Sequence, residues 1–158
     1  MSYVDHTGEI SAVLRTADDI KSLTYPNGTT TVFTAPGSAT MGQFGLFEWN
    51  MVAQSSRSGG HFHKTFSESF YIVSGQVELF NGEKWATANP GDFFYVPMGG
   101  VHGFCNPAEA EAKMLVLFAP APPREKYFEA LAEIRESGRT LTDEEWTALY
   151  AEHDQYMV

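Results

Sequence analysis

The stretch that decides the fold runs from residue 59 to residue 75 and reads Gly-Gly-His-Phe-His-Lys-Thr-Phe-Ser-Glu-Ser-Phe-Tyr-Ile-Val-Ser-Gly. Side chains alternate faces along an extended strand, so His61 and His63 point the same way and can share one ion. Glu68 follows and opens a β-type run that ends at Gly75. Imidazole nitrogens and a carboxylate suit divalent first-row metals, whereas calcium and magnesium prefer oxygen shells. The stretch therefore predicts three ligands of a transition-metal site and requires a fourth.

The fourth ligand is predicted in a second turn-rich stretch, residues 91 to 106. His102 lies there, far enough from His61 for a few strands to run out and back between them. The two imidazoles can therefore converge on one ion.

Short runs rich in β-branched and aromatic residues, separated by turn signals, fill most of the chain and predict antiparallel strands. They cover residues 29–35, 44–53, 68–73, 76–80, 84–88, 93–96, 102–106 and 113–118. So many short strands favour a sandwich or barrel over a βαβ fold. Residues 9–25, with a short apolar alternation, could form a strand and a loop or one turn of helix.

The composition changes at residue 120. Three prolines between residues 120 and 123 cannot continue a central strand, because proline lacks the ladder donor. Beyond them, apolar residues at helical spacing predict one helix that stops near Gly138. Thr142 and Glu145 form a capping box that starts a second helix. We therefore expect a β domain over residues 1–119 and a Pro-rich linker with C-terminal helices over residues 120–158, packed on the barrel or on a partner subunit.

Composition excludes several classes of partner. The chain has 158 residues, with 20 acidic against 10 basic residues and a net charge of −10. This charge opposes a phosphate backbone, so nucleic acid is not expected as a partner. No apolar run approaches the roughly 20 residues that cross a bilayer, and the N-terminus lacks the features of a secretory signal. The single cysteine, Cys105, agrees with a reducing compartment, so a cytoplasmic location is predicted.

The two turn-rich stretches resemble the paired motifs of the cupin superfamily. The first motif is matched by His61, His63, Glu68 and Gly75, while Ser55 stands where the family has a glycine. The second motif is matched at every interval, by Gly91, Pro97, Gly99, His102 and Asn106. Nine of ten signature positions agree, and both motifs lie in an all-β context.

The resemblance implies an all-β fold, a small double-stranded β-helix (jelly-roll) barrel, here followed by a two-helix C-terminal tail. It also implies that His61, His63, Glu68 and His102 hold one divalent metal in the barrel mouth and leave positions open for water, dioxygen or substrate. Iron, manganese, nickel, cobalt, copper and zinc all accept such a shell. Glu68 is in addition a candidate general base, and a homodimer is expected.

The single-barrel layout with a helical tail is similar to bacterial flavonol (quercetin) dioxygenase-like cupins. The leading hypothesis is therefore a metal-dependent dioxygenase acting on a small aromatic or polyphenolic molecule. A cupin that isomerises, cyclises or decarboxylates its substrate without dioxygen is one alternative. A barrel that only binds a small ligand is the other.

Overall fold

The computed structural model describes residues 3–158. In chain order, its strands and helices are β1 Ser22–Thr24, β2 Thr30–Ala35, β3 Gly45–Met51, β4 His61–Phe62, β5 Ser67–Ser74, β6 Val77–Phe80, β7 Trp85–Ala88, β8 Phe93–Val96, β9 Gly103–Cys105, β10 Ala112–Ala119, α1 Arg124–Ser137, α2 Asp143–Glu152 and β11 Tyr156–Met157. Single 3-10 turns occur at Ala17–Asp19 and Gly37–Ala39.

The strands form antiparallel sheets whose order differs from their order in the chain. The largest sheet runs β1-β2-β3-β10-β5-β8, a second runs β7-β6-β9, and the short strand β11 pairs with β4. Strand β10 therefore lies between β3 and β5, a long-range crossover of the jelly-roll kind. The predicted all-β barrel with two helices at its C-terminal end is confirmed.

The alternation of buried side chains explains how β10 serves as a central strand. Ala112, Met114, Val116 and Phe118 are buried, and the residues between them are partly exposed, which is the period of two that one core-facing side requires. The aromatic core continues through Phe47, whose ring lies 5.7 Å from that of Phe118. Sequence periodicity alone was sufficient to predict this strand.

The two helices close one end of the barrel. Helix α1 buries Tyr127, Phe128 and Leu131, and Phe128 packs 5.3 Å from the ring of Phe47 in the core. Gly138 ends α1 in a left-handed conformation at φ +66°, and the Thr142–Glu145 capping box starts α2, both as predicted. The helices pack on the barrel of their own chain.

The N-terminal segment shows where local periodicity fails. The apolar alternation that includes Ile10 and Leu14 allowed a strand as one interpretation. Both side chains are exposed and lie outside the strands of residues 3–158. The segment contains instead one 3-10 turn, followed by strand β1 at residues 22–24. Apolar alternation forms a strand only where another strand is available to pair with it.

Gly75 occupies a position that a side chain cannot share. Its φ is +72°, and an added Cβ would overlap the Glu111 carbonyl oxygen and lie 2.7 Å from Cα of Ala112. We expect Gly75→Ala to lower the free energy of unfolding by about 3 kcal/mol, combining left-handed backbone strain with backbone overlap.

Urea unfolding measures the loss in Gly75→Ala, and Gly91→Ala is the matched control. Gly91 also has a positive φ, +95°, but an added Cβ would meet nothing within 4 Å. This variant should therefore lose only about 1 kcal/mol from backbone strain. Equal losses in the two variants would contradict the assignment of steric overlap at Gly75.

Candidate metal centre

Four buried side chains converge inside the barrel. His61 lies on β4 and His63 directly after it, Glu68 lies on β5, and His102 lies just before β9. Each residue offers a nitrogen or oxygen atom, and these atoms all lie within 4.8 Å of one another. The exposed fraction of His102 is 1%, and that of Glu68 is 5%. The structure thus brings together all four residues that were predicted from the sequence.

A backbone carbonyl fixes the orientation of each imidazole. The Nδ1 atoms lie 2.9 Å from the Gly59 carbonyl in His61, 2.6 Å from the Asp154 carbonyl in His63 and 3.0 Å from the Gly100 carbonyl in His102. A carbonyl only accepts, so each Nδ1 carries the proton and donates it. Hydrogen bonds of this kind orient the rings of metal-binding histidines. The Nε2 atoms of His63 and His102 then lie against Glu68 Oε2, and each of the three Nε2 atoms can bind a metal once it carries no proton.

The spacing of the donor atoms fits a metal ion. Glu68 Oε2 lies 3.0 Å from His63 Nε2 and 2.8 Å from His102 Nε2. Ligand atoms about 2.0–2.1 Å from a common ion, at right angles to one another, are about 3 Å apart. Three imidazole nitrogens and one carboxylate also form a donor set of the kind that first-row transition metals accept. The cluster could hold such a metal.

Backbone pairing holds the ligand strands in register. His61 and His102 exchange two backbone hydrogen bonds, from His61 N–H to the His102 carbonyl at 3.0 Å and from His102 N–H to the His61 carbonyl at 2.9 Å. On its other edge, β4 pairs with β11, where Tyr156 faces Phe62 and Met157 faces His61. The ligand strand is therefore fixed from both sides.

Asp154 connects the C-terminal segment to the loop at residues 63–65 through hydrogen bonds. Besides the carbonyl that orients His63, its carboxylate accepts hydrogen bonds from Lys64 N–H at 3.1 Å, from Thr65 N–H at 2.8 Å and from the Thr65 hydroxyl at 2.6 Å. Sequence reasoning missed this residue, because its partners lie about ninety positions away and no local motif marks it.

Ser55, the one departure from the signature, is also accounted for. Its hydroxyl accepts a hydrogen bond from the backbone N–H of Asn106 at 2.9 Å. The Asn106 side chain is fully buried and donates to the carbonyls of Val52 and Ala110. The serine thus joins the two motif segments directly.

Burial and the neighbouring charges separate the pKa values of the ligands. Burial, assisted by the nearby His102, lowers the pKa of His61 to about 4. Burial alone would raise the pKa of Glu68, but the charges and hydrogen bonds of His102 and His63 outweigh it and hold that pKa well below its usual value. Burial also disfavours the charged form of His102, but Glu68 reverses this effect and raises its pKa. His61 is therefore a neutral ligand at physiological pH.

These shifts predict different titrations for two histidines in the metal-free protein. As the pH falls, His102 should protonate first, because its pKa is raised above the ordinary 6.5, while His61 stays neutral until about pH 4. Because the unfolded chain protonates His61 near 6.5, the low pKa of folded His61 destabilises the fold as the pH falls from about 6.5 to about 4. The raised pKa of His102 stabilises the fold below 6.5, and this contribution is lost as the pH rises through the folded pKa of His102. Imidazole proton shifts in an NMR titration measure both values. Two coincident titrations near 6.5 would contradict the prediction.

The cluster opens into a cavity of about 220 Å³. His61 and Glu68 lie on its wall, and the opposite side is built from α1, α2 and the C-terminal segment. The aromatic residues of the wall are Trp49, Phe104, Phe118, Tyr127, Phe128, Trp146 and Tyr150. The sequence suggested an aromatic core but could not separate packing residues from cavity residues, because that depends on how the helices dock.

The fold and the site together define a jelly-roll barrel with a candidate metal centre inside it. Residues 47–118 match the family model described as Cupin domain. The resemblance predicted from the two motifs is confirmed.

Comparisons with individual proteins agree with this family. Quercetin 2,3-dioxygenase of Bacillus subtilis (strain 168) is 36% identical over 44 residues, which is 28% of this chain and 13% of that enzyme. A sugar phosphate isomerase from a cupin superfamily of Silicibacter pomeroyi DSS-3 has a TM-score of 0.56 at 24% identity, covering 66% of this chain and 74% of that one. The polyketide cyclase RemF from Streptomyces resistomycificus has a TM-score of 0.57 at 19% identity, covering 75% and 94%. At these identities the two structures show the shared fold.

In residues 3–158, no helix is long and apolar enough to cross a membrane.

Proposed function

We propose that this chain is a metal-dependent dioxygenase acting on a small aromatic molecule of the flavonol type. The observation that carries the proposal is that the cluster of His61, His63, Glu68 and His102 reaches, through His61 and Glu68, the wall of a cavity lined by aromatic rings. The short match to quercetin 2,3-dioxygenase supports it and includes only a small part of that enzyme.

The cavity wall suits a flat, conjugated substrate. Trp49 and Phe104 pack edge to face at 5.9 Å, and Trp146 and Tyr150 stack at 5.4 Å. Rings held in this way offer preformed apolar surfaces, on which an aromatic substrate stacks with little loss of side-chain freedom. The same surfaces exclude water from the reacting end of the substrate.

Glu68 is proposed as the general base. Its Oε2 atom is held between His63 and His102, and the low pKa keeps the carboxylate ionised at neutral pH. It can accept the proton of a substrate hydroxyl that reaches the cavity wall. A metal held by these residues would supply Lewis-acid polarisation of the substrate oxygen and a template for dioxygen chemistry.

An oxygen-electrode assay tests the proposal. Protein loaded separately with iron, manganese, nickel, cobalt, copper or zinc is incubated with flavonols and simpler phenols, and dioxygen uptake is recorded. Uptake that requires both metal and phenol supports the dioxygenase. No metal-dependent uptake across the panel would exclude it.

A non-redox cyclase, isomerase or decarboxylase is the second candidate. The same polarising centre and aromatic cavity serve such reactions equally well, and a polyketide cyclase and a sugar phosphate isomerase share the fold. Conversion of a phenolic or polyketide substrate under strict anaerobiosis would favour this candidate. Ligand binding without any turnover in either atmosphere would indicate a binding protein.

We further propose that the chain forms a homodimer and acts in the cytoplasm. Tyr71 and Phe93 are register partners on β5 and β8, and Tyr95 lies two residues beyond Phe93 on the same face. All three rings are exposed on the outside of the largest sheet, where a second copy could cover them. Light scattering should give twice the monomer mass, and a Phe93→Ser, Tyr95→Ser variant should be monomeric. A monomeric wild type would exclude the dimer.

A further inference from the structure

The cavity wall contains a buried cation, the side chain of Arg124. Arg124, the first residue of α1, is only 4% exposed and lies on the cavity wall with His61 and Glu68. Its guanidinium carbon lies 4.2 Å from the centre of the Tyr127 ring and 5.3 Å from that of Phe118. Arginine stays protonated in proteins, so this is a full positive charge in apolar surroundings.

The hydrogen-bond partners of Arg124 carry no charge. One terminal nitrogen donates to the His153 carbonyl at 3.2 Å and the other to the Gln155 side-chain oxygen at 3.2 Å. Both acceptors are neutral, and within residues 3–158 Arg124 forms no ion pair with a carboxylate. The buried Nε–H has no hydrogen-bond partner. The charges of Glu68 and Asp154 act on Arg124 without forming an ion pair, and the cost of burying the guanidinium outweighs them and lowers the pKa of Arg124.

The charges around the cavity do not resolve this imbalance. Arg124, Arg135, His61 and Glu68 are the wall residues that can carry a charge, apart from two tyrosines. The Glu68 carboxylate is already engaged by His63 and His102. The cavity is therefore locally positive inside a chain whose net charge is −10. The acidic composition of the chain does not account for the positive charge of the cavity, whereas an anionic ligand does.

We propose that the substrate of this site carries an anionic oxygen, either a carboxylate or an ionised hydroxyl, on its aromatic ring system, and that Arg124 binds this oxygen. The inference rests on the proposed aromatic substrate and adds its charge. A guanidinium presents its donors as a planar fork that matches an oxyanion. The neighbouring aromatic rings then hold the rest of the substrate, so that Arg124 sets its orientation relative to Glu68.

Calorimetric titration with matched ligand pairs tests the inference without turnover. Zinc-loaded protein is titrated without oxygen with 2-naphthoate and its neutral isostere 2-naphthamide, and with 3-hydroxyflavone and 3-methoxyflavone. We expect wild type to bind the anionic member of at least one pair about tenfold more tightly, in line with a charge-assisted hydrogen bond. The first pair reports a carboxylate and the second an ionisable hydroxyl.

Arg124→Met separates the arginine from the metal as the source of this preference. At equal zinc content, the variant should lose most of the tenfold preference. The control Arg139→Met removes the same charge from an exposed position outside the cavity, and should keep the preference. Arg124→Lys keeps the charge without the planar fork and should lie between wild type and Arg124→Met; it carries the test alone if Arg124→Met does not fold.

Two results would overturn the inference: a preference that survives in folded Arg124→Met, or a wild type that binds no anionic probe better than its neutral partner. A purely structural role for Arg124 would lower the melting temperature and leave the ligand preference unchanged. The outcome is independent of oxygen uptake, because a protein that consumes no dioxygen can still show the arginine-dependent preference.

Discussion

Replacing His102 with alanine is expected to lower the affinity for a divalent transition metal by at least about 100-fold, since loss of outer-shell partners alone costs 10–100-fold. His102 is the most buried of the four candidate ligands, and its Nε2 lies 2.8 Å from Glu68 Oε2. Its two backbone hydrogen bonds with His61 do not involve the side chain, so the barrel should stay closed in the variant. Metal content after dialysis and competition with a chelator dye measure the effect.

His6→Ala is the control for this experiment. His6 is exposed and lies outside the cluster, so its removal should leave metal content unchanged. Metal binding by His102→Ala that equals wild type would show that the four residues are not the metal site.

Glu68→Gln is expected to retain much of the metal and to lose about 10²–10⁴-fold in kcat for any reaction that removes a substrate proton. Glutamine has the same size and keeps one carbonyl oxygen that can face His63 and His102. It cannot accept the proton, because an amide is not basic. We therefore expect Glu68→Gln to keep its metal content and to lose turnover.

Glu48→Gln is the matched control, because Glu48 pairs with Lys113 on a different part of the sheet, at 3.0 Å, and should not alter turnover. Glu68→Gln with undiminished turnover would mean that the glutamate acts only as a ligand. If Glu68→Gln lost both its metal and its activity, Glu68 would be a ligand whose negative charge is required for metal binding.

The barrel strands and the His61–His63 pair were predictable from the sequence for the same physical reason. Strand alternation places His61 and His63 on one face, and β-type runs between turns mark the strands with errors of one or two residues. Both signals are local, because each can be recognised within two to about ten residues. The convergence of His102 with the first motif is long-range, and the paired motifs made it predictable only through resemblance.

The unpredicted parts of the site all depend on how the C-terminal segment docks. Nothing near Arg124 indicates that its side chain enters a cavity, because an arginine after a proline at a helix start is usually solvated. Asp154 has no local motif either, and the partner strand β11 has only two residues. The roles of Asp154 and β11 follow from contacts with residues 61–65, and that of Arg124 from contacts with Phe118 and the C-terminal segment. No single window of the sequence contains these contacts.

The pairing of β4 with β11 also has a consequence for the order of folding. The strands from β5 to β10 can close most of the barrel through contacts between segments less than sixty residues apart in the chain. The His63 side chain, by contrast, obtains its orienting carbonyl from Asp154 only after both helices have formed and folded back. Loop closure over long separations is slow. We therefore expect the ligand geometry to be completed late, so that metal acquisition follows the docking of the tail and does not nucleate the fold.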